Sequence, residues 1–278
     1  MTCAPERIIS AHPVTAAVRA LISEKLAQIE RQQQVSILFA CESGSRGWGF
    51  ASPDSDYDVR FIYVPKLSWY LQVEPGRDVI EQPINAELDI SGWELRKALG
   101  LLRASNPTLC EWLDSPIVYQ RVEPWTQRLH TLARHYFSPV RGYHHYVSMA
   151  KKNLRRHLQG ETIRHKKYFY SLRPLLAARW IRQRSGLPPP MRFAELANQL
   201  IDDQALIDDI NALLEIKMHL AESDSGPRRN RILDFIRSQL EQAQDDCPPP
   251  PPKTSTAPLD TFFYEAVLHF SDVGNHPS

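Results

Sequence analysis

The sequence has only four cysteines, Cys3, Cys41, Cys110 and Cys247, and no two of them stand in a Cys-x-x-Cys pair. That scatter excludes a disulfide framework and a thiolate zinc site as organising devices, and it makes a reducing cytoplasm the expected compartment. Net charge is equally sparse. The 33 Lys and Arg offset 32 Asp and Glu to leave +1, so no global basic field announces nucleic acid and any attraction has to be regional. No apolar run approaches the roughly 20 residues that a membrane helix needs, and residues 1–7 lack the charged-then-apolar pattern of a secretory leader, so no membrane partner is expected. A histidine metal site is also disfavoured. His144, His145 and His157 have no Cys or carboxylate at ligand spacing, and Ser45 lacks the Gly-x-Ser-x-Gly elbow of a hydrolase nucleophile.

What the chain does have is an ordinary globular composition, 42% hydrophobic and 23% charged, over a length that suits one large or two modest domains. Apolar residues recur at helical spacing over 14–33, and the near-continuous apolar run 35–41 suits a central strand. In 58–64, Val59, Phe61 and Tyr63 alternate with Asp58, Arg60 and Ile62, which predicts a strand with unlike faces ended by Pro65. Residues 79–90 predict two extended pieces broken at 83–85. A helix is expected over 93–103, then a short one over 108–113, with Asn106 as its cap and Pro116 closing it.

Past Tyr119 the strand signals fade. Helical patterns follow over 141–158, 162–184, 193–200, 206–221 and 228–243, with Pro174 expected to kink or divide the second. The five prolines 248–252 form a stiff connector, after which 259–270 returns to an amphipathic helix. The expected class is therefore α+β: a small mixed sheet with flanking helices over 1–118, then a helical domain over 119–278. Regional charge sharpens the second half. Residues 151–184 hold eleven Lys or Arg and one acid, whereas 195–224 hold eight acids and one base, Lys217.

Between the first two expected strands runs GSRGWGFASPDSDYDVRF, residues 44–61. Asp56 and Asp58 are two apart, so on an extended segment both leave the same face about 7 Å from each other. Two carboxylates at that spacing suit one or two hard dications, Mg²⁺ or Mn²⁺, which keep waters and take their remaining ligands from phosphates. Gly44 and Ser45, with Gly47 and Gly49, make a turn whose backbone N–H groups can approach a phosphate, and Arg46 adds a cation. The same Ser-Pro-Asp-Ser-Asp string is also an ordinary turn, since Ser, Pro and Asp favour turns for local reasons.

Gly44-Ser45 followed by Ser55-Asp56-Tyr57-Asp58 resembles the signature of the polymerase-beta-type nucleotidyltransferase superfamily. The longer stretch GSRGWGFASPDSDYDVRFIYV is similar to a bacterial and phage family of predicted nucleotidyltransferases associated with RNA repair. So are DISGWELRKALGLLRASNPTLCEWLDSPIVY (89–119) and HKKYFYSLRPLLAARWI (165–181). The resemblance covers roughly 36–181 and implies a nucleotidyltransferase sheet. It also implies a third carboxylate on a neighbouring strand, which Asp89 in Leu88-Asp89-Ile90 fits, with Glu87 as the nearby competitor and a solvated strand-end acid as the plainer account of Asp89. On this resemblance Asp56, Asp58 and Asp89 bind two dications and carry catalysis, while Gly44, Ser45, Arg46 and Ser55 hold a nucleoside triphosphate.

Lys166 and Arg173, seven apart on the most basic helix, are candidates for triphosphate or RNA backbone, against the alternative of a solvated or acid-paired face. Tyr168 and Tyr170 are candidates for stacking a base, against a core role. Arg60, on the strand face of the Asp pair, can orient Asp58, touch phosphate or form an ion pair. The function implied is nucleotidyl transfer to a hydroxyl, in RNA by preference. The alternatives are a protein or small-molecule hydroxyl, or a nucleotide- or RNA-binding module without turnover.

Overall fold

The computed structural model describes residues 7–82, 88–184, 187–221, 223–243, 248 and 254–272. In chain order the elements begin with α1 (Ala16–Gln33), β1 (Val35–Glu42), α2 (Gly44–Trp48), β2 (Tyr57–Pro65), α3 (Leu67–Tyr70), β3 (Val79–Glu81) and β4 (Leu88–Glu94). There follow α4 (Leu95–Arg103), α5 (Pro107–Leu113), β5 (Val118–Arg121), α6 (Trp125–Tyr136), α7 (Pro139–His157), β6 (Thr162–Arg164) and α8 (His165–Gln183). The last are α9 (Phe193–Leu200), α10 (Gln204–His219), β7 (Ser225–Pro227), α11 (Asn230–Gln242) and α12 (Ala257–Asp272). Among the described residues no helix is long and apolar enough to cross a membrane.

The chain forms two compact units, each built from separate stretches. The sheet unit comprises the described residues of Pro13–Gly44, Asp56–Phe137 and Pro252–Ser278. Its five strands run in the order β3-β4-β2-β1-β5, with β2 and β4 parallel and the other neighbours antiparallel. Thr15 caps α1 by accepting from Val18 N–H, and Gln34 ends that helix in the left-handed region. Ile22, Leu26 and Ile29 of α1 pack on Ile37, Ala40, Val59, Phe61, Leu88 and Ile90. Burying each such side chain contributes on the order of 1.5–3 kcal/mol before entropy. Strand alternation then sends Asp58, Arg60, Asp89 and Ser91 to the opposite face.

Several expected bounds shift for tertiary reasons. Trp93 remains in the ladder beside Ile62 instead of opening a helix, and Glu94 caps α4 by accepting from Arg96 and Lys97 N–H. Trp93 also stacks on Trp112, with ring centroids 3.9 Å apart. Asn106 caps α5 as its sequence position implies, accepting from Leu109 N–H. β5 pairs with β1 beyond the point where local strand signals fade. The expected cut after residue 118 also differs from the units that the contacts draw. α6 lies against β1, and α12 lies against β2, α3, α4 and α6, because their apolar faces bury there. Phe262 of α12 is 1% exposed and meets Trp125 edge-on at 5.6 Å.

The helical unit comprises the described residues of Met1–His12, Ser45–Ser55 and Ser138–Pro251. α8 continues through Pro174 as one element. Residues 171–178 are all buried, and α7 packs along the helix, so packing outweighs the roughly 3 kcal/mol that an interior proline costs. Residues 162–164, expected to be helical, instead pair with β7 as β6. Asn153 ties α7 to α8 by donating to Lys167 O (2.6 Å) and Ser171 Oγ (2.7 Å). The expected competitor Glu87 and all of the five-proline connector except Pro248 lie outside the described residues, as do Cys3 and Cys247. Cys41 and Cys110 are free and buried, and burial pushes the Cys110 thiol up to about 12, which fits packing rather than reactivity.

Phe262→Ala is expected to cost about 3 kcal/mol by opening a cavity in the sheet unit. Thermal melting would show a lowered transition, and an unchanged one would mean that α12 does not support the sheet.

Candidate functional site

The site begins with a register. β2 and β4 are parallel, and Asp58 stands directly beside Asp89. Both carboxylates leave the sheet face opposite the α1 core, because Val59, Leu88 and Ile90 take the core side. Arg60, two positions after Asp58 on the same face, closes the pair. Its Nη2 donates to Asp58 Oδ1 at 2.9 Å and to Asp89 Oδ2 at 2.6 Å. Its Nη1 donates to the backbone oxygens of Asp89 (2.8 Å) and Val59 (3.0 Å). The three side chains are 16%, 29% and 32% exposed, so the attraction exceeds that of a surface pair yet is still screened by solvent.

Gly44 makes room for this arrangement. Its φ is +57°, and a Cβ placed on it would fall 1.9 Å from Asp58 Oδ2. A side chain there is excluded both by backbone conformation and by collision with the carboxylate. Behind Asp58 lies Glu42, fully buried. Its Oε1 accepts from Asp58 N–H at 2.8 Å and its Oε2 from the Tyr119 hydroxyl at 2.6 Å. Ser115 Oγ donates to the Glu42 carbonyl, and Ser43 N–H donates to the Asp58 carbonyl. Burial, then the charge and hydrogen bond of Glu42, raises the Tyr119 hydroxyl well above its ordinary pKa, so it stays a donor. The backbone of Asp58 is therefore held from both sides.

Asp56, the other acid of the expected Asp56–Asp58 pair, is exposed just before β2. Among the described residues no three His, Cys, Asp or Glu side chains are gathered as a metal centre. Asp58 and Asp89 do fit a hard dication in donor chemistry: both offer anionic oxygens, and one oxygen from each already converges on a single cationic nitrogen.

The rest of the glycine-rich motif belongs to the helical unit. α2 is a single turn, and Ser45 and Arg46 are 5% and 4% exposed. Arg46 Nη2 donates to Ser55 O at 2.6 Å, and the Arg46 carbonyl accepts from His12 Nδ1 at 2.8 Å. The Ser-Pro-Asp-Ser string closes as a turn, with Ser52 N–H donating to Ser55 Oγ and Ser55 N–H to Ser52 O. Lys217, 2% exposed, donates to Ser52 Oγ at 2.9 Å and lies 5.6 Å from the Phe50 ring centroid.

The two cations expected on α8 differ in setting. Arg173 is 1% exposed, with its guanidinium over the rings of Trp48 (5.3 Å) and Tyr146 (5.4 Å), while Lys166 is half-buried. Tyr168 is core, its hydroxyl accepting from Arg229 N–H. Tyr170 is partly exposed and meets Trp48 edge-on at 5.4 Å.

Sequence reasoning missed Glu42, Tyr119, His12 and Lys217. Two of these left a trace: an acid ending an apolar run just before the glycine turn, and a lone base within an acidic segment.

The family model described as "RNA repair pathway DNA polymerase beta family" (RlaP) matches residues 18–265. The chain is 47% identical over 224 residues to the uncharacterized protein YcgL of Bacillus subtilis (strain 168), covering 81% of this chain and 86% of that protein. Among solved structures, a nucleotidyltransferase-like protein from Exiguobacterium sibiricum 255-15 aligns over 91% of this chain and 77% of its own. Its 12% identity and TM-score of 0.29 are too loose to bear on fold or function.

Gly44→Ala is expected to cost about 2 kcal/mol or more from strain and the Asp58 collision. Gly100→Ala, where a Cβ meets nothing within 4 Å, should leave stability level or raised. Equal melting temperatures for the two variants would contradict the seat described for Asp58.

Proposed function

The chain belongs to the RNA repair pathway DNA polymerase beta family, and on that premise we propose that it is a metal-dependent nucleotidyltransferase. It moves a nucleoside monophosphate from a nucleoside triphosphate to a hydroxyl, with RNA as the favoured acceptor. The observation that carries this reading is the pairing of Asp58 with Asp89 across parallel strands, with Gly44 packed against Asp58. Asp56, Asp58 and Asp89 are the residues assigned to hold Mg²⁺ or Mn²⁺. Such ions, when bound, supply a lowered pKa for the attacking hydroxyl and charge neutralisation on the triphosphate.

In the transfer, the acceptor oxygen bonds to the α-phosphorus, the α–β bridging bond breaks, and pyrophosphate departs. To Asp89 we assign the hydroxyl proton, a role supported by its partly exposed carboxylate beside Asp58. Glu42 and Ser43 keep the Asp58 backbone still through that exchange. For the triphosphate we assign Gly44, Ser45, Arg46, Ser55, Lys166 and Arg173. Arg46 and Ser55 act by holding the turn closed. Lys166 is the more accessible cation for phosphate, and Arg173 supports Trp48 from its face.

RNA is favoured over the other acceptors by the family and by local charge. Arg155, Arg156 and Arg164 are exposed near the end of α7 and the start of α8. The His157 imidazole is held below its ordinary pKa by desolvation, then by the charges of Lys167, Arg156 and Arg164. A positive patch of this kind suits a phosphate backbone.

Incubation with labelled ATP, CTP, GTP and UTP, each offered RNA, protein and small-molecule acceptors, is expected to place label on RNA. Label on protein alone would remove the RNA assignment. Asp58→Ala should abolish metal-dependent pyrophosphate release while nucleotide binding persists. If the native protein binds nucleotide without releasing pyrophosphate, the binding-module reading replaces the enzymatic one. Arg155→Glu with Arg156→Glu should weaken RNA binding and flatten its log–log salt dependence by about 0.7–0.9 per phosphate contact removed.

A further inference from the structure

Two carboxylates set side by side by strand register repel each other, and a neighbouring cation relieves that repulsion. Here the compensation comes from the same strand. We propose that Arg60 is the internal counter-ion of the Asp58–Asp89 pair: its guanidinium bridges the acids when no dication is present and yields that position when one enters. This inference rests on the metal-dependent reading above and adds a positioning residue to it.

The geometry supports an exchange rather than a permanent pair. One nitrogen, Nη2, touches one oxygen of each carboxylate, which is the arrangement of a bridging cation. Its contacts of 2.6 and 2.9 Å are those of N–H donors, whereas Mg²⁺ draws oxygens in to about 2.0–2.1 Å. A dication held between the same two acids would bring its charge against the guanidinium already bridging them, so the two cations compete for the pair. The other nitrogen, Nη1, donates to main-chain oxygens of Val59 and Asp89. Those acceptors are part of the sheet and do not depend on what the carboxylates bind. The guanidinium can thus pivot its Nη2 edge away while Nη1 keeps the side chain tethered.

Two consequences follow from this competition. The metal-free protein avoids the full repulsion of the acid pair, because a charge already sits between them. A dication arriving alone must displace that charge, so its affinity is lowered by the strength of the clamp. A dication arriving with a triphosphate brings further ligands with it and competes better. Arg60 thereby favours loading of the metal together with the nucleotide.

The test uses the full-length protein and Mn²⁺ alone, with free Mn²⁺ followed by electron paramagnetic resonance and stability by thermal melting in chelator and in Mn²⁺. Arg60→Gln is expected to bind Mn²⁺ about tenfold more tightly than the native protein. It should also melt lower than native in chelator and recover more of its stability on adding Mn²⁺. Arg60→Lys retains a cation but loses the two-nitrogen fork, so its affinity should fall between the two, and it serves if the glutamine variant does not fold. Adding Asp58→Asn to Arg60→Gln should remove the gain. Equal or weaker Mn²⁺ binding in both Arg60 variants, while the native protein binds, overturns this proposal and leaves the metal-dependent reading standing. Absence of Mn²⁺ binding in every form, with ATP present as well, overturns both.

Discussion

A like-charge pair held in place by strand register is the constraint on which the sheet unit is organised. Parallel pairing of β2 and β4 fixes Asp58 beside Asp89, and a slip of β4 by one residue would turn Asp89 toward the α1 core. The register is therefore protected by the same burial that makes the core. Val59, Phe61, Leu88 and Ile90 can face α1 only if the acids face away. Stability of the core and placement of the acids are one decision, not two.

Around that pair the structure holds the main chain more firmly than the carboxylates themselves. Glu42 and Ser43 grip the backbone of Asp58, Tyr119 and Ser115 brace Glu42, and Gly44 leaves the space that the carboxylate fills. The carboxylates are partly exposed, and the Arg60 guanidinium bridges the two of them. The main chain under the acids is thus held by the β2–β4 ladder as well as by the hydrogen bonds to Glu42 and Ser43, beyond what the Arg60 bridge supplies to the carboxylates. In the helical unit the same economy operates on the motif loop, where the buried cations Arg46 and Lys217 serve the turn through Ser55 and Ser52.

Much of this was legible from the chain alone, for local reasons. The helix over Ala16–Gln33, the strands Val35–Glu42 and Tyr57–Pro65 and the capped helix after Asn106 all follow periodicity and capping signals that span a few residues. The spacing of Asp56 and Asp58 was legible for the same reason, whereas Asp89 entered only through the family resemblance. β5, β6 and the extended end of β4 were not, because each exists through pairing with a distant segment that local pattern does not encode. Pro174 misled in the other direction: a local breaker signal was overridden by burial on α8.

By itself the sequence determined which short segments are helix or strand, where the carboxylates and glycines fall, and which family the whole resembles. Tertiary structure alone decided what those residues touch. Arg60 meets Asp89 across 29 residues, Tyr119 meets Glu42 across 77, and Lys217 meets Ser52 across 165. Contacts at such separations are set by how apolar faces bury against one another, and only the folded chain settles which polar groups that burial brings within hydrogen-bond reach.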